Sequence, residues 1–245
     1  MNTTADTRRG RSSTLAAAAV AVVGGLAIAG CGGGDSGSSS SKTDANDPRT
    51  DATQPQQATT AGGCEKVAIP QPRDPGKQKK PTAPLDPARN WTLKFKTNCG
   101  DFSVVLDVGQ SPKASASLVA LAKADYFDGT FFHRIVPGFV IQGGDPTGRG
   151  TGGPGYTTID KPPRNAKYTR GVVAMAKAGN EPPGAAGSQF YVVTGRDAGL
   201  PPDYAIVGKV TRGMDVVDRI GQLGDQTEHA TRPVVISTVT VGEGA

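Results

Sequence analysis

The sequence predicts an all-β-dominated domain of about eight strands and two helices, preceded by a disordered tether. Gly (34) and Pro (19) are abundant among the 245 residues and aromatic residues are few, which is typical of a loop-rich β domain beside unstructured chain. Short runs of alternating apolar and polar residues favour a closed barrel or a sandwich. Residues 32–60 hold almost no large apolar side chain, so they cannot offset the entropy of ordering.

The first two strands have a half-buried pattern. Trp91, Leu93 and Phe95 alternate with polar residues, and the spacing from Phe102 to Leu106 repeats this pattern after an Asn-Cys-Gly turn. We therefore expect the folded domain to begin near residue 91 and to span residues 91–245.

Two helices interrupt the strands. Pro112 fits the first position of a helix, with Ser111 available as its cap. A second, shorter helix is expected at 213–220, where Met214, Val217 and Ile220 fall on one face. The remaining strand-like runs are 131–135, 139–142, 172–176, 190–194, 205–210 and 234–241.

The N-terminus has the features of an export sequence. Basic residues at 8–11 precede an apolar run at 15–29, which at about fifteen residues is shorter than a membrane-spanning helix needs. The run ends in LAIAGC, which resembles a bacterial lipobox and implies cleavage before Cys31 and a diacylglycerol on its thiol. This predicts a lipoprotein signal peptide at 1–30, a tether at 31–62, and anchoring at the extracytoplasmic face of a bacterial cell membrane. An uncleaved anchor, or an ordinary signal peptide with an incidental Cys, remains the alternative.

Two cysteines remain after Cys31 is assigned. In an oxidising compartment, Cys64 and Cys99 suggest a disulfide, although two unrelated thiols are the alternative. It would join the Pro-rich extended segment at 63–90 to the turn after the first strand. Two distant Cys with no nearby His are a poor ligand set, so no metal is expected.

The net charge of +5 does not indicate nucleic-acid binding. Arg8, Arg9 and Arg11 against Asp6 supply +2 of it at the extreme N-terminus, and no dense Lys/Arg stripe follows. We therefore expect no nucleic-acid partner.

Three blocks carry a family resemblance: FFHRIVPGFVIQGGD at 131–145, GVVAMAKAG at 171–179 followed by GSQFY at 187–191, and YAIVGKVTRGMDVVD at 204–218. In this order they resemble the cyclophilin family of peptidyl-prolyl cis-trans isomerases, and the similarity spans about residues 91–241. The resemblance implies a closed eight-stranded antiparallel β-barrel capped by two α-helices, an active-site groove on its outside, and no cofactor.

Isomerisation requires a donor rather than a nucleophile. In the twisted amide the prolyl nitrogen gains a lone pair, and a donor aimed at it binds the transition state more tightly than the ground state. The resemblance implies Arg134 as this donor, Gln142 as its orienting partner and Phe139 as the floor of the proline pocket. The implied substrate-binding residues are Val140, Ala176, Lys177, Gln189, Tyr191, Leu200 and Tyr204.

Several positions depart from the family pattern. Lys177 replaces the usual Asn, Tyr191 replaces Phe and brings a hydroxyl that must find water or a partner, and Tyr204 replaces a common His. Gly199 falls where many eukaryotic members carry Trp, which implies weak cyclosporin affinity. His133 is interpreted as structural, and the glycines at 143–155 as a tight loop beside the groove.

Two functions from different classes stay open at this point. The first is an isomerase acting on proline-containing exported polypeptides, as a monomer tethered to the membrane at Cys31. The second is a proline-peptide binding module, or an envelope chaperone or scaffold, with little turnover. Arg134 together with Gln142 and Phe139 favours the enzyme.

Overall fold

The computed structural model describes residues 63–244, which lie within one compact unit, Gln57–Ala245. The expectations for the signal peptide at 1–30, for Cys31 and for the tether at 31–62 fall outside the described residues. The elements in chain order are β1 Asn90–Thr97, β2 Gly100–Leu106, α1 Pro112–Lys123, β3 Thr130–Phe131, β4 Arg134–Val136, β5 Val140–Gly143, β6 Thr158–Ile159, β7 Val172–Met175, β8 Ala185–Ala186, β9 Phe190–Val193, β10 Ile206–Arg212, α2 Met214–Gly221 and β11 Val235–Gly244.

Nine of these strands form one curled antiparallel sheet in the order β3-β11-β1-β2-β10-β7-β9-β5-β4, while β6 pairs with β8. The edge strands β3 and β4 are consecutive in the chain, so the sheet curls back to where it began. The mostly-β fold with two helices is therefore as predicted. Within residues 63–244, β3 and β4 remain the two edges, and the closed eight-stranded barrel stays a prediction.

The strand expected at 131–135 is divided into β3 and β4. The division arises because the chain changes partners within it. Phe132 donates its N–H to the carbonyl of Val234 (3.0 Å), whereas Ile135 donates its N–H to the carbonyl of Glu228 (2.8 Å). The sheet accordingly contains one strand more than the eight expected.

The inner face of the sheet holds an aromatic core. Phe95 stacks on Phe102 with ring centroids 4.6 Å apart, and Phe190 meets Phe127 and Phe132 edge-on. These geometries are the ones that aromatic pairs favour. The alternation predicted for β1 is confirmed, because Trp91, Leu93 and Phe95 are all buried.

The first helix begins at Pro112 as expected, but its cap differs from the prediction. The Ser111 hydroxyl donates to the carbonyl of Ile206 (2.6 Å) and makes no capping bond. Asp160 instead accepts the N–H of Ala114 in the first turn at 2.7 Å. A carboxylate from a distant loop therefore satisfies this helix end, since free N–H groups there attract an anion.

The second helix has the face that the spacing predicts. Val217 and Ile220 are fully buried, and Met214 packs against the same core. None of the helices between residues 63 and 244 is both long and apolar enough to cross a membrane.

Residues 63–89 run along the domain without helix or strand. A disulfide joins Cys64 to Cys99. Further along, the guanidinium of Arg73 donates to the carbonyls of Tyr126 (2.6 Å) and Asp128 (3.0 Å). The segment is thus tied to the domain by a covalent bond and by polar contacts.

The strands β7 and β9 are buried along their whole length, unlike the alternating β1. One face contributes to the aromatic core. The opposite face carries a second apolar cluster, which forms the floor of a groove on the outside of the sheet. The buried members of this outer cluster are Val140, Tyr168, Val172, Ala174, Tyr191 and Val193.

Candidate active site

The groove is built on the hairpin of β4 and β5. Pro137 and Gly138 occupy its turn, closed by the N–H of Phe139 to the carbonyl of Val136 at 3.0 Å. Gly138 has φ +70°, a conformation that glycine adopts without steric cost. The register places Arg134 directly opposite Gln142. Directly paired residues share a face of the sheet, so these two side chains lie side by side.

The groove has a volume of about 320 Å³, and all the predicted catalytic and substrate-binding residues except Gln189 line it. Gln189, which does not line it, is joined to it by a hydrogen bond: Gln142 Nε2 donates to Gln189 Oε1 at 3.1 Å. Gln189 Nε2 in turn donates to the carbonyl of Gly152 at 3.0 Å, which links the groove to the glycine-rich loop. The lining residues are Arg134, Phe139, Val140, Gln142, Ala176, Lys177, Tyr191, Leu200 and Tyr204.

Two contacts restrain the guanidinium of Arg134. Its Nε donates to a carboxylate oxygen of Glu228 at 2.6 Å, and its Cζ lies 5.9 Å from the ring centroid of Phe139. The hydrogen bond from Arg134 and its positive charge lower the pKa of Glu228. The guanidinium is therefore held between a carboxylate and an aromatic face.

Lys177 closes another wall of the groove with its side chain. This side chain is only 4% exposed, and its Nζ lies 2.9 Å from a carboxylate oxygen of Asp203. Nζ also donates to the carbonyl of Glu181 (3.1 Å) and lies 5.6 Å from the Tyr204 ring centroid. The ammonium thus joins the loop after β7 to the loop before β10.

Three tyrosines, Tyr168, Tyr191 and Tyr204, pack against one another at the groove, with ring centroids 5.7–6.5 Å apart. Tyr191 and Tyr204 line the groove, and Tyr168 lies behind them. The Tyr168 hydroxyl donates to the carbonyl of Tyr204 (2.8 Å) and accepts its N–H (3.0 Å). The Tyr191 hydroxyl is buried and has no hydrogen-bond partner among residues 63–244. Burial raises the pKa of Tyr191, so the phenol is neutral.

The glycine-rich loop beside the groove is organised by Asp145. Its carboxylate accepts the N–H of Thr147 (2.8 Å) and of Gly152 (3.1 Å). Burial raises the pKa of Asp145, but hydrogen bonds from Gly152, Thr147 and Gly150 outweigh it and leave the pKa below its ordinary value. An ionised carboxylate therefore holds the loop that presents the Gly152 carbonyl to Gln189.

His133 lies next to Arg134 in the chain but does not line the groove. Burial lowers the pKa of its imidazole below the ordinary value. The interpretation of His133 as structural agrees with this position.

The backbone conformation at position 199 explains why glycine occupies it. It has φ +62°, and its N–H donates to the side chain of Asp197 at 2.9 Å. A Trp in this conformation is strained, because bulky side chains rarely adopt positive φ.

Sequence reasoning missed Glu228 and Asp203, the acidic partners of Arg134 and Lys177. Glu228 lies in a loop beyond the last block that carries the resemblance, whereas Asp203 lies directly before the block at 204–218. The Asp225-Gln-Thr227 spacing indicates a tight loop, but no local pattern reveals which cation its neighbour Glu228 meets. No group of three or more His, Cys, Asp or Glu side chains that could hold a metal lies among the described residues.

Comparison with known proteins places this fold and groove in a class. The family model for cyclophilin-type peptidyl-prolyl cis-trans isomerases matches residues 92–241. A probable peptidyl-prolyl cis-trans isomerase A of Mycobacterium leprae is 37% identical over 172 residues, covering 62% of this chain and 93% of that protein. A peptidyl-prolyl cis-trans isomerase of Arabidopsis thaliana is 37% identical over 146 residues, covering 58% of this chain and 86% of its own length.

A solved structure gives the same result. The cyclophilin-type isomerase of Cryptosporidium parvum, in the presence of the dipeptide Ala-Pro, superimposes with a TM-score of 0.57 at 32% identity, covering 62% of this chain and 98% of its own. The chain therefore belongs to the cyclophilin-type peptidyl-prolyl cis-trans isomerase family. Its activity is the isomerisation of peptidyl-prolyl bonds.

Proposed function

We propose that the groove catalyses this isomerisation through Arg134, acting on proline-containing segments of exported polypeptides. Rotation about a peptide bond has a barrier of about 18–20 kcal/mol because of its partial double-bond character. Twisting the bond localises a lone pair on the prolyl nitrogen. A fixed cationic donor stabilises that lone pair in the transition state and has no such partner in the planar ground state.

Each groove residue has a role in this proposal. Phe139 and Val140, with Tyr191 and Leu200, form an apolar pocket for the proline ring. Arg134 donates to the prolyl nitrogen from the pocket rim, and Gln142 beside it keeps the donor in place.

The remaining predicted residues receive the peptide on either side of the proline. We assign Gln189 and the backbone at Ala176 and Lys177 to the peptide groups, and Tyr204 to the groove wall. Proline-containing peptides are the ligand class that the solved relative with Ala-Pro supports.

The observation that carries the proposal is the juxtaposition of Arg134, Gln142 and Phe139. The two polar residues are paired across the hairpin, and the guanidinium lies 5.9 Å from the Phe139 ring centroid. Guanidinium presents several N–H groups in a rigid planar fork and stays charged at all relevant pH values. Nε is engaged by Glu228, which leaves the two Nη groups to serve as donors.

The test is the rate of isomerisation of a short Ala-Pro peptide by the purified protein. Arg134→Ala is expected to lower kcat/KM by about 100-fold, as the loss of a transition-state donor does elsewhere. The matched control is Arg89→Ala, which removes an exposed arginine paired with Glu243 outside the groove. If both variants keep wild-type turnover, Arg134 is not the donor; if the wild type binds the peptide but does not turn it over, the binding-module function is correct.

We further propose that the protein is a lipoprotein and a monomer, held by a lipid on Cys31 at the extracytoplasmic face of a bacterial membrane. The LAIAGC sequence and the polar residues at 31–62 support the lipid anchor. Each buried methylene of an acyl chain contributes about 0.8 kcal/mol, so several chains anchor a protein firmly.

Mass spectrometry of the mature N-terminus tests the anchor. We expect the chain to begin at Cys31 with an acylated thiol, and Cys31→Ala to leave the precursor uncleaved. An intact Met1 or an unmodified Cys31 in the wild type contradicts the lipoprotein assignment.

A further inference from the structure

Glu228 combines two unusual properties in one residue. Its carboxylate oxygen lies 2.6 Å from Nε of Arg134, and its backbone has φ +65°. A non-glycine residue at positive φ is uncommon, and the residues that tolerate it best are Asn and Asp rather than Glu. Among the described residues, Asp125 is the other non-glycine residue in this region of φ.

The loop around Glu228 is held in place by its own contacts. Asp225 accepts the N–H groups of Thr227 (2.7 Å) and His229 (3.1 Å), and Glu228 donates its N–H to the Asp225 carbonyl (3.1 Å). Hydrogen bonds from Thr227, above all, and from His229 lower the pKa of Asp225, which keeps this acceptor ionised. The left-handed residue is therefore fixed within a closed loop.

The same loop is attached to the strand that carries Arg134. The carbonyl of Glu228 accepts the N–H of Ile135 at 2.8 Å. Gly224, at the base of the loop, lies so close to the carbonyl of Ile135 and the ring of Pro137 that a Cβ atom there would overlap both. Loop and strand thus form one unit on the rim of the groove.

The backbone contacts give no reason for a glutamate at this position. A glycine would supply the same carbonyl to Ile135 and would adopt the positive φ without steric cost. What glycine lacks is the carboxylate on Nε of Arg134. Strained backbone of this kind is concentrated at functional sites, where the surrounding structure maintains it.

We propose that Glu228 is a positioning residue for Arg134. By accepting Nε it fixes the plane of the guanidinium, so that the Nη groups meet the prolyl nitrogen of the twisted amide. Phe139 restrains the same group from the side of the pocket. The inference rests on the proposed function, because it requires Arg134 to be the donor.

Glu228→Gly separates positioning from stability. In the full chain this variant is expected to lower kcat about tenfold, because small misplacements of catalytic groups are costly. Peptide affinity is expected to stay within about twofold, and the unfolding temperature to stay equal or rise as strain is relieved. Glu228→Gln keeps an acceptor oxygen without the negative charge. Its kcat is expected to lie between that of Glu228→Gly and that of the wild type.

Asp125→Gly is the matched control. It relieves the other positive φ, in the turn after α1, and is expected to keep kcat and affinity unchanged. If Glu228→Gly keeps a kcat within twofold of the wild type while remaining folded, the positioning role is wrong.

The Arg134→Ala background distinguishes a failure of Glu228 as a positioning residue from a failure of Arg134 as the donor. In that background, adding Glu228→Gly should cause no further loss of kcat, because the carboxylate acts through the guanidinium. An equal tenfold loss in both backgrounds overturns the positioning role but leaves Arg134 as donor. Wild-type kcat in Arg134→Ala itself overturns the proposed function instead.

Discussion

The two faces of the curled sheet differ in what they bury. The inner face packs phenylalanines and aliphatic side chains against one another, with Phe95 and Phe102 stacked at its centre. The outer face buries a smaller cluster in which tyrosine is prominent and which borders the charged groups of Arg134 and Lys177. The inner face of the sheet thus supplies most of the stability, whereas the outer face carries the residues for catalysis.

Removing an inner ring should have the largest effect on stability. Phe102→Ala is expected to lower the free energy of unfolding by about 3–5 kcal/mol, because it leaves a cavity in a close-packed core. Activity per folded molecule should not change, since β2 is not part of the groove. Urea denaturation followed by fluorescence measures the first effect, and a parallel peptide assay measures the second. A large loss of turnover in the folded variant would show that the two faces are not separable.

Removing the Phe139 ring from the outer face should affect activity much more than stability. Phe139 is partly exposed at the groove, so Phe139→Ala is expected to lower stability only slightly. It removes the floor of the proline pocket, and an apolar contact of this size corresponds to at least about a tenfold loss in kcat/KM. The assay and the urea midpoint together check this prediction; an unchanged kcat/KM would place the pocket elsewhere.

Two hydroxyls of the outer cluster should respond oppositely to removal. Tyr191→Phe deletes a buried hydroxyl without a partner among residues 63–244, and should leave stability unchanged or raise it by about 1 kcal/mol. Tyr168→Phe deletes a hydroxyl bonded to both the N–H and the carbonyl of Tyr204, and should cost about 1 kcal/mol or more. Equal losses in both variants would show that the Tyr191 hydroxyl does have a partner.

The smallest expected effect is a pH dependence of stability. Burial lowers the pKa of His133 below its ordinary value of 6.5, so the unfolded chain takes up this proton at a higher pH than the folded one. Stability should therefore fall as the pH decreases from 6.5 towards the lower pKa of the folded protein. His133→Gln should have a flatter dependence between about pH 7 and pH 5.5, measured by urea midpoints. Identical slopes would exclude His133 as a source.

The inner face could be predicted well from the sequence, because strand alternation is a local property. The groove residues could be predicted because most of them lie in contiguous blocks that carry the family resemblance. Arg134 and Gln142 lie in one hairpin, so their pairing follows from a short turn.

Contacts between distant segments could not be predicted in this way. Glu228 is 94 residues from Arg134, and Asp160 is 46 residues from the helix end that it caps. Ser111 matches the local sequence pattern of a helix cap, but its hydroxyl donates to the carbonyl of Ile206 instead. A polar side chain usually has several possible hydrogen-bond partners, and tertiary packing decides which one it takes. A local sequence pattern carries no information about that choice.

The most direct test of the central claim is the exchange rate between the cis and trans forms of a bound X-Pro peptide, measured by NMR. Arg134→Lys keeps the positive charge but loses the planar fork of donors. We predict that this variant binds the peptide with near wild-type affinity and exchanges it at least about tenfold more slowly. Wild-type exchange in the bound state of Arg134→Lys would contradict the assignment of the guanidinium as the catalytic donor.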